Sequence, residues 1–290
     1  MRTWQRTLGM VIIVIALPVP SSAGVARPAV VVQVSRSVLR QGEVARLTVR
    51  TSSPVARLNI RFAGRSWPMY PAGPTVWKAI LGTDPMTPPG RQVIAVEAVA
   101  VATEGARLVA RREVTVVRVR FSTRRLTFDP ERQALLTPEA TERERTRVQA
   151  ALRVLHPEQL WDDPFARPLE GAIASGYGVL SIFQNQVRGF HGGVDIPAPE
   201  GTPVRTAARG IVRLAESLPL SGNAVLIDHG LGVVTSYLHL SAIDVHVDQR
   251  VKKGEVIGRV GSTGLATGPH LHWGLRVNGV RVDPLPWTTR

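Results

Sequence analysis

The chain has 290 residues, 44% of them hydrophobic and 5% aromatic, and carries a net charge of +14. That length holds about two domains, and the apolar content supports a packed core, which excludes a disordered chain. Cysteine is absent, which excludes a disulfide framework, thiolate metal ligands, a cysteine nucleophile and a lipoprotein-type acylated cysteine.

Arg2 and Arg6 precede a short apolar run over residues 8–17, and Ser21-Ser22-Ala23 supplies small residues. This is the pattern of an export signal, residues 1–23, cleaved after Ala23. Pro18 and Pro20 end the run well short of the roughly 20 residues that a membrane span needs. The mature chain is therefore expected to have no transmembrane span. It is also expected to act outside the cytoplasm, in the periplasm or envelope or as a secreted protein. The positive charge comes from arginine except at Lys78, Lys252 and Lys253. The arginines are scattered, so a solvated Arg-rich surface reflecting genomic composition is expected first, with weak attraction to an anionic envelope as the functional alternative. With an export signal, nucleic acid is not an expected partner.

Residues 28–120 form the first expected domain. Val30-Val31-Val32-Gln33-Val34 is a β-branched run. Residues 44–50 and 58–62 alternate apolar and polar, and further runs lie at 76–81, 92–99 and 107–119. Short strands separated by Gly and Pro clusters predict an immunoglobulin-like β-sandwich. No residue set there points to chemistry, so a spacer, lid or binding module is expected.

Residues 121–164 form the expected linker. Thr137 is placed to cap a helix, with Pro138 at its first position and Glu139 in its first turn. Val148, Ala151, Leu152 and Leu155 make one apolar stripe. A helix packed on a neighbour and a hinge that positions the first domain are both compatible with this pattern.

Residues 165–290 change to Gly-punctuated short strands, predicting a small antiparallel β domain and a mainly β protein overall. Three segments there carry histidines. In His191-Gly192-Gly193-Val194-Asp195, the glycines and Pro197 rule out a helix. The His and Asp must therefore converge through a loop or strand entry, the geometry that two ligands on one ion need. In His270-Leu271-His272, a strand puts both imidazoles on one face. Such a pair fits a borderline metal better than a core, because each neutral ring needs two partners. The third segment is Tyr237-Leu238-His239-Leu240. A His/Asp set without thiolates suits one Zn²⁺ ion with an open fourth position, and two further histidines could act on water and the developing oxyanion. No His-Glu-x-x-His helix, Gly-x-Ser-x-Gly elbow or phosphate loop is present.

These segments resemble the lysostaphin-type (LytM-domain) zinc metalloendopeptidases of peptidoglycan, peptidase family M23. The similarity spans about residues 171–284. It includes Ala198-Pro199-Glu200-Gly201-Thr202-Pro203-Val204, Ile227-Asp228-His229-Gly230 and Gly261-Ser262-Thr263-Gly264, in addition to the histidine segments. The resemblance implies a groove across one sheet, one zinc ion held by His191, Asp195 and His272, and catalytic histidines His239 and His270. It implies stem or bridge peptides of peptidoglycan as substrate, with Asn223 and Tyr237 able to line the groove. An Asn amide and a Tyr hydroxyl are equally able to be satisfied structurally. A contrasting expectation, for relatives that have lost ligands, is a non-catalytic wall-binding protein or an activator of other wall hydrolases. The intact ligand set favours the enzyme. One departure is that Ser175-Gly176-Tyr177-Gly178-Val179-Leu180-Ser181 lacks the arginines that many relatives carry upstream of the first ligand. His229 is expected to support a turn, and His156 and His246 to be packing or surface residues.

Overall fold

The computed structural model describes residues 29–100, 107–162 and 164–288. The expected export signal lies outside them. Strands make up 50% of the chain and helices 9%, so the protein is mainly β. It divides into two compact units, residues up to 81 with 86–118, and residues 82–85 with 119 onward.

The first unit contains β1 (Val30–Val34), β2 (Val38–Arg40), β3 (Val44–Thr51), β4 (Val55–Phe62), β5 (Arg65–Trp67), β6 (Tyr70–Gly73), β7 (Val76–Gly82), β8 (Gly90–Ala100) and β9 (Arg107–Val117). One sheet has the order β1-β3-β7-β6 and the other β2-β9-β8-β4-β5. Alternation sets the buried faces, with Ala45, Leu47 and Val49 inward from β3 and Ile94, Val96 and Ala98 inward from β8. Between β4 and β5, Ala63 and Gly64 both have positive φ, 49° and 74°, as a two-residue type I′ hairpin requires.

The second unit begins with β10 (Thr123–Arg125), α1 (Pro130–Ala134) and α2 (Pro138–Ala151). Thr137 caps α2, its hydroxyl accepting from the Ala140 amide at 3.1 Å, with Pro138 in the first turn. β11 (Leu180–Phe183) and β12 (Gln186–Phe190) follow, and β10 joins them by pairing in parallel with β11. Then come β13 (Gly193–Pro197), β14 (Pro203–Arg205), β15 (Gly210–Leu218), β16 (Gly222–Asp228), β17 (Val233–Leu240), β18 (Ala242–Ile243), β19 (Arg250–Val251), β20 (Val256–Arg259), β21 (His270–Val277) and β22 (Val280–Val282).

The main sheet runs β13-β21-β17-β16-β15-β19, with β22 on β21. Its two faces differ. Leu271, Trp273, Leu275 and Val277 of β21 point into a core that also holds Tyr237, Val225 and Ile227, all fully buried. The other face carries His270, His272 and Arg276, and farther along it an apolar cluster of Leu214, Leu218, Leu226 and Val234. α2 ends at Ala151, short of the end of the expected stripe, so Val148 and Ala151 from its last turn and Leu152 and Leu155 from the segment after it pack on that cluster. Burying such side chains contributes about 1.5–3 kcal/mol each at full burial. Among the described residues, no helix is long and apolar enough to cross a membrane.

Candidate metal centre

Strand register assembles the site. β13 and β21 run antiparallel with Asp195 directly opposite His272 and Pro197 opposite His270. Gly193 is needed for this close pairing, since a β-carbon there would collide with the Trp273 carbonyl. His191 enters just before β13. Its backbone amide donates to the Val179 carbonyl, and its Nδ1 lies 2.8 Å from the Gly176 carbonyl oxygen. With Nδ1 carrying the proton, Nε2 turns its lone pair toward Asp195.

His191 Nε2, Asp195 Oδ1 and His272 Nδ1 form a triangle with all three separations at 2.9 Å. Among the described residues, these three are the group able to hold a metal ion. Tetrahedral ligands bonded to zinc at about 2.0–2.1 Å lie roughly 3.4 Å apart, so the triangle needs only a small opening to fit. The donor set of two imidazole nitrogens and one carboxylate oxygen matches a borderline divalent ion that keeps a coordination position free.

The electrostatics prepare these ligands. Burial opposes ionisation of Asp195, but the close contacts with His191 and His272 outweigh it and hold the carboxyl well below the usual range. Burial pushes His272 down to about 4. Asp195 is thus ionised and His272 neutral at neutral pH, as metal binding requires.

His239 and His270 flank the triangle. Their rings are 5.0 Å apart, and His239 is 6.2 Å from His272. Each ties Nδ1 to a backbone carbonyl, His239 to Thr263 at 2.9 Å and His270 to Gly268 at 2.8 Å. This leaves each Nε2 free, and that of His270 lies 3.8 Å from Asp195 Oδ1. Burial, then the nearby His272 and His270, lowers His239 to about 3, so it is neutral at pH 7. His239 has φ of 64°, a left-handed conformation that costs energy for a β-carbon-bearing residue. The β16–β17 register also shifts beside it. Strict alternation would send His239 into the core with Tyr237, and the left-handed turn brings it to the site instead.

Tyr237 corrects the expectation that it could line the groove. It is fully buried, and its hydroxyl accepts from the Ala207 amide at 2.8 Å and lies 3.1 Å from Thr235 Oγ1. It alternates away from Ser236 and Leu238, which do face the cavity. Asn223 is half-buried, with its side-chain nitrogen donating to the Ser241 carbonyl at 3.3 Å, and it does not line the cavity. His229 is fully buried behind the sheet, and His246 is exposed.

The centre lies in a groove. On one side is a cavity of about 300 Å³ whose walls include Leu218, Leu226, Ser236 and Leu238. On the other is a second recess walled by Ser122, Ser175, Pro197 and Thr267, and both recesses share Arg124, Asp195 and His270.

Arg124 is a site residue that sequence reasoning missed. Its Nη1 donates to Asp195 Oδ2 at 3.1 Å and to Ser175 Oγ at 2.8 Å, and its Nε donates to Ser181 Oγ at 3.0 Å. It arrives on β10 from the expected linker, through the parallel pairing Arg124↔Ser181. The absence of arginine from 175–181 is the one signal in the chain that a guanidinium is supplied from elsewhere.

Residues 189–284 match the family model described as Peptidase family M23. The DD-carboxypeptidase/endopeptidase Mpg of Neisseria meningitidis is 50% identical over 96 residues, 33% of this chain and 22% of that protein. The peptidoglycan DD-endopeptidase ShyA of Vibrio cholerae is 46% identical over 95 residues, 33% of this chain and 22% of that protein. The chain thus spans under a quarter of the length of these relatives. A crystal structure from Pseudomonas aeruginosa assigned to peptidase M23 matches with a TM-score of 0.60 and 29% identity, covering 87% of this chain and 95% of that one. The likeness holds for the mainly β architecture, and the family match contains all five of the clustered residues His191, Asp195, His239, His270 and His272. By these matches, the chain carries a domain of peptidase family M23 over residues 189–284.

Proposed function

We propose that this protein is an exported, zinc-dependent endopeptidase that hydrolyses peptide cross-links of bacterial peptidoglycan. The observation that carries the reading is the triangle of His191 Nε2, Asp195 Oδ1 and His272 Nδ1, with two further imidazoles beside it in a groove. The name of ShyA, a peptidoglycan DD-endopeptidase, supports peptidoglycan peptides as the substrate class, and that of Mpg supports endopeptidase activity.

His191, Asp195 and His272 would hold one zinc ion. When bound, zinc supplies Lewis-acid chemistry, polarising the scissile carbonyl and acidifying water. His239, neutral at pH 7, presents an unprotonated Nε2, and His270 turns its own Nε2 to the same space. One can accept a proton from the attacking water, and the resulting imidazolium can donate to the oxyanion or to the leaving nitrogen. The Thr263 and Gly268 carbonyls fix the orientation of both rings. The groove supplies walls that align an extended peptide across the centre.

The test is digestion of peptidoglycan of known cross-link chemistry, with released peptides identified by mass. The expected result is loss of cross-linked dimers that a zinc chelator stops, added zinc restores and His191→Ala abolishes. Undiminished cleavage after complete metal removal, or no cleavage by zinc-loaded protein of any wall, would reject this reading.

A further inference from the structure

Arg276 and Arg281 are cross-strand neighbours, directly opposite one another in the β21–β22 ladder. Like charges in that position repel and destabilise the pair. Both side chains line the cavity that contains the metal cluster. Arg276 follows His270, His272 and Gly274 on the same face of β21. Arg281 stands at the mouth, its Cδ so close over Gly192 that a β-carbon there would lie 2.6 Å away. It therefore leans over the loop that delivers His191.

Among the described residues, no hydrogen bond or ion pair engages either guanidinium. The Arg281 carbonyl accepts from the Tyr177 hydroxyl, but that leaves the side chain free. Glu144 is the acidic group across the cavity, and its charge favours the Arg276 cation. Its oxygens are already committed. Oε2 accepts from the Leu220 and Ser221 amides at 2.8 and 3.0 Å, and Oε1 from the Ser221 hydroxyl at 2.6 Å. Burial, then the charge of Arg281, pulls Arg276 down to about 9, so the cation is held at a cost. Arg124, the third guanidinium in this cavity, is satisfied by Asp195 and two serines. Two adjacent guanidinium groups, Arg276 half-buried and Arg281 exposed, both without a protein partner and facing a cavity, match a carboxylate, which they can bind through parallel charge-assisted hydrogen bonds.

We propose that Arg276 and Arg281 form a carboxylate-binding subsite, holding a free carboxylate of the peptide substrate while its scissile bond lies at the His191–Asp195–His272 cluster. This rests on the hydrolase reading above and narrows it to acidic peptides. The subsite selects among peptides by charge rather than contributing to bond cleavage, so its effect belongs mainly in KM.

The experiment uses the zinc-loaded full chain and two cross-linked wall peptides that differ only in whether their free carboxylates are amidated. Wild type is compared with Arg276→Gln, Arg281→Gln, the double variant and Arg276→Lys, with fold checked by circular dichroism. The expected result is a fall of about tenfold or more in kcat/KM on the free-carboxylate peptide for Arg276→Gln, mostly through KM. The amidated peptide should be cleaved equally by wild type and variants, and Arg276→Lys should recover part of the loss. Equal losses on both peptides, or no loss on either, would overturn the subsite. Equilibrium binding of the same peptides is measured in parallel. If wild type cleaves neither peptide, the hydrolase reading fails. A preference for the free carboxylate that Arg276→Gln removes would then still uphold the subsite, and its absence would overturn it.

Discussion

The two oxygens of Asp195 have separate tasks. Oδ1 faces His191 and His272 at 2.9 Å, while Oδ2 accepts from Arg124 at 3.1 Å. Arg124 therefore fixes the carboxylate rotamer and leaves one oxygen for the ion. Outer partners of this kind tune metal affinity by orienting the ligand. Arg124→Ala is expected to weaken zinc binding by about 10–100-fold, measured by competition with a chromophoric chelator. Arg124→Lys should recover only part, because an ammonium supplies charge without the planar fork that also spans Ser175 and Ser181. Affinity of the alanine variant within twofold of wild type would leave Arg124 with no role beyond fastening β10. The convergence of these segments was legible in the chain, because the i, i+2 pairing of His270 and His272 and the Gly-flanked His191 and Asp195 encode it locally, while the choice of three among them came from the family resemblance. Arg124 was not, since nothing in its own neighbourhood marks a parallel pairing with a strand more than fifty residues away. His239 was legible as a histidine of the set, but its route to the site was not. The run from Val233 to Leu240 reads as one alternating strand, and only the left-handed φ at His239 separates it from the buried Tyr237.

At the level of elements, α2 shows how a helix with little intrinsic amphipathic contrast is held in place. Its Thr137-Pro138 start and the apolar set of Val148, Ala151, Leu152 and Leu155, which continues past its end at Ala151, were readable from the sequence, but the surface that receives the set was not. That surface is assembled from β15, β16 and β17, each contributing alternate residues. Polar contacts set the docking. Arg147 makes a bidentate pair with Glu216 at 2.8 Å, which is exposed and contributes little. Glu144 is the stronger anchor, because it caps the two amides and the hydroxyl of the Leu220-Ser221 turn. Removing it leaves those amides without acceptors in a half-buried setting. Glu144→Ala is expected to cost about 1–3 kcal/mol, read by calorimetry as a fall in Tm of roughly 2–4 °C per kcal/mol. Arg147→Ala should change Tm far less. Equal effects of the two substitutions would mean that the turn finds other acceptors and that apolar packing alone seats the helix.

Across the whole chain, the charge and the chemistry are distributed unequally. Among the described residues, the first unit carries β-sheets without a His/Asp/Glu group able to hold a metal, while the second gathers such a group, the groove and all seven histidines. His229 sits where distant parts of the second unit meet. Its ring packs edge-on against Phe165 at 5.1 Å, Phe165 packs on Trp287 at 5.3 Å, and the His229 carbonyl accepts from the Leu160 amide. Its Nδ1 lies 2.8 Å from the Arg209 carbonyl oxygen and its Nε2 2.8 Å from Thr235 Oγ1. Complete burial lowers it from 6.5 to about 4. The native state thus refuses a proton that the unfolded chain accepts below about 6.5. Stability from this residue is fully present above that value. It is lost as pH falls toward about 4, where the native state also binds the proton and the loss levels off. Over that window the loss is on the order of 3 kcal/mol. The measurement is unfolding free energy by denaturant titration at pH values from 7.5 to 4, for wild type and for His229→Gln, both without metal. The variant should start less stable at pH 7.5, because glutamine fits the aromatic contact poorly, yet lose less stability on acidification. Carboxylates and the other buried histidines contribute equally to both proteins, so the difference between the two curves isolates His229. Parallel curves would mean that His229 takes up its proton inside the fold, and that the aromatic junction at Phe165 and Trp287 admits water as the pH falls.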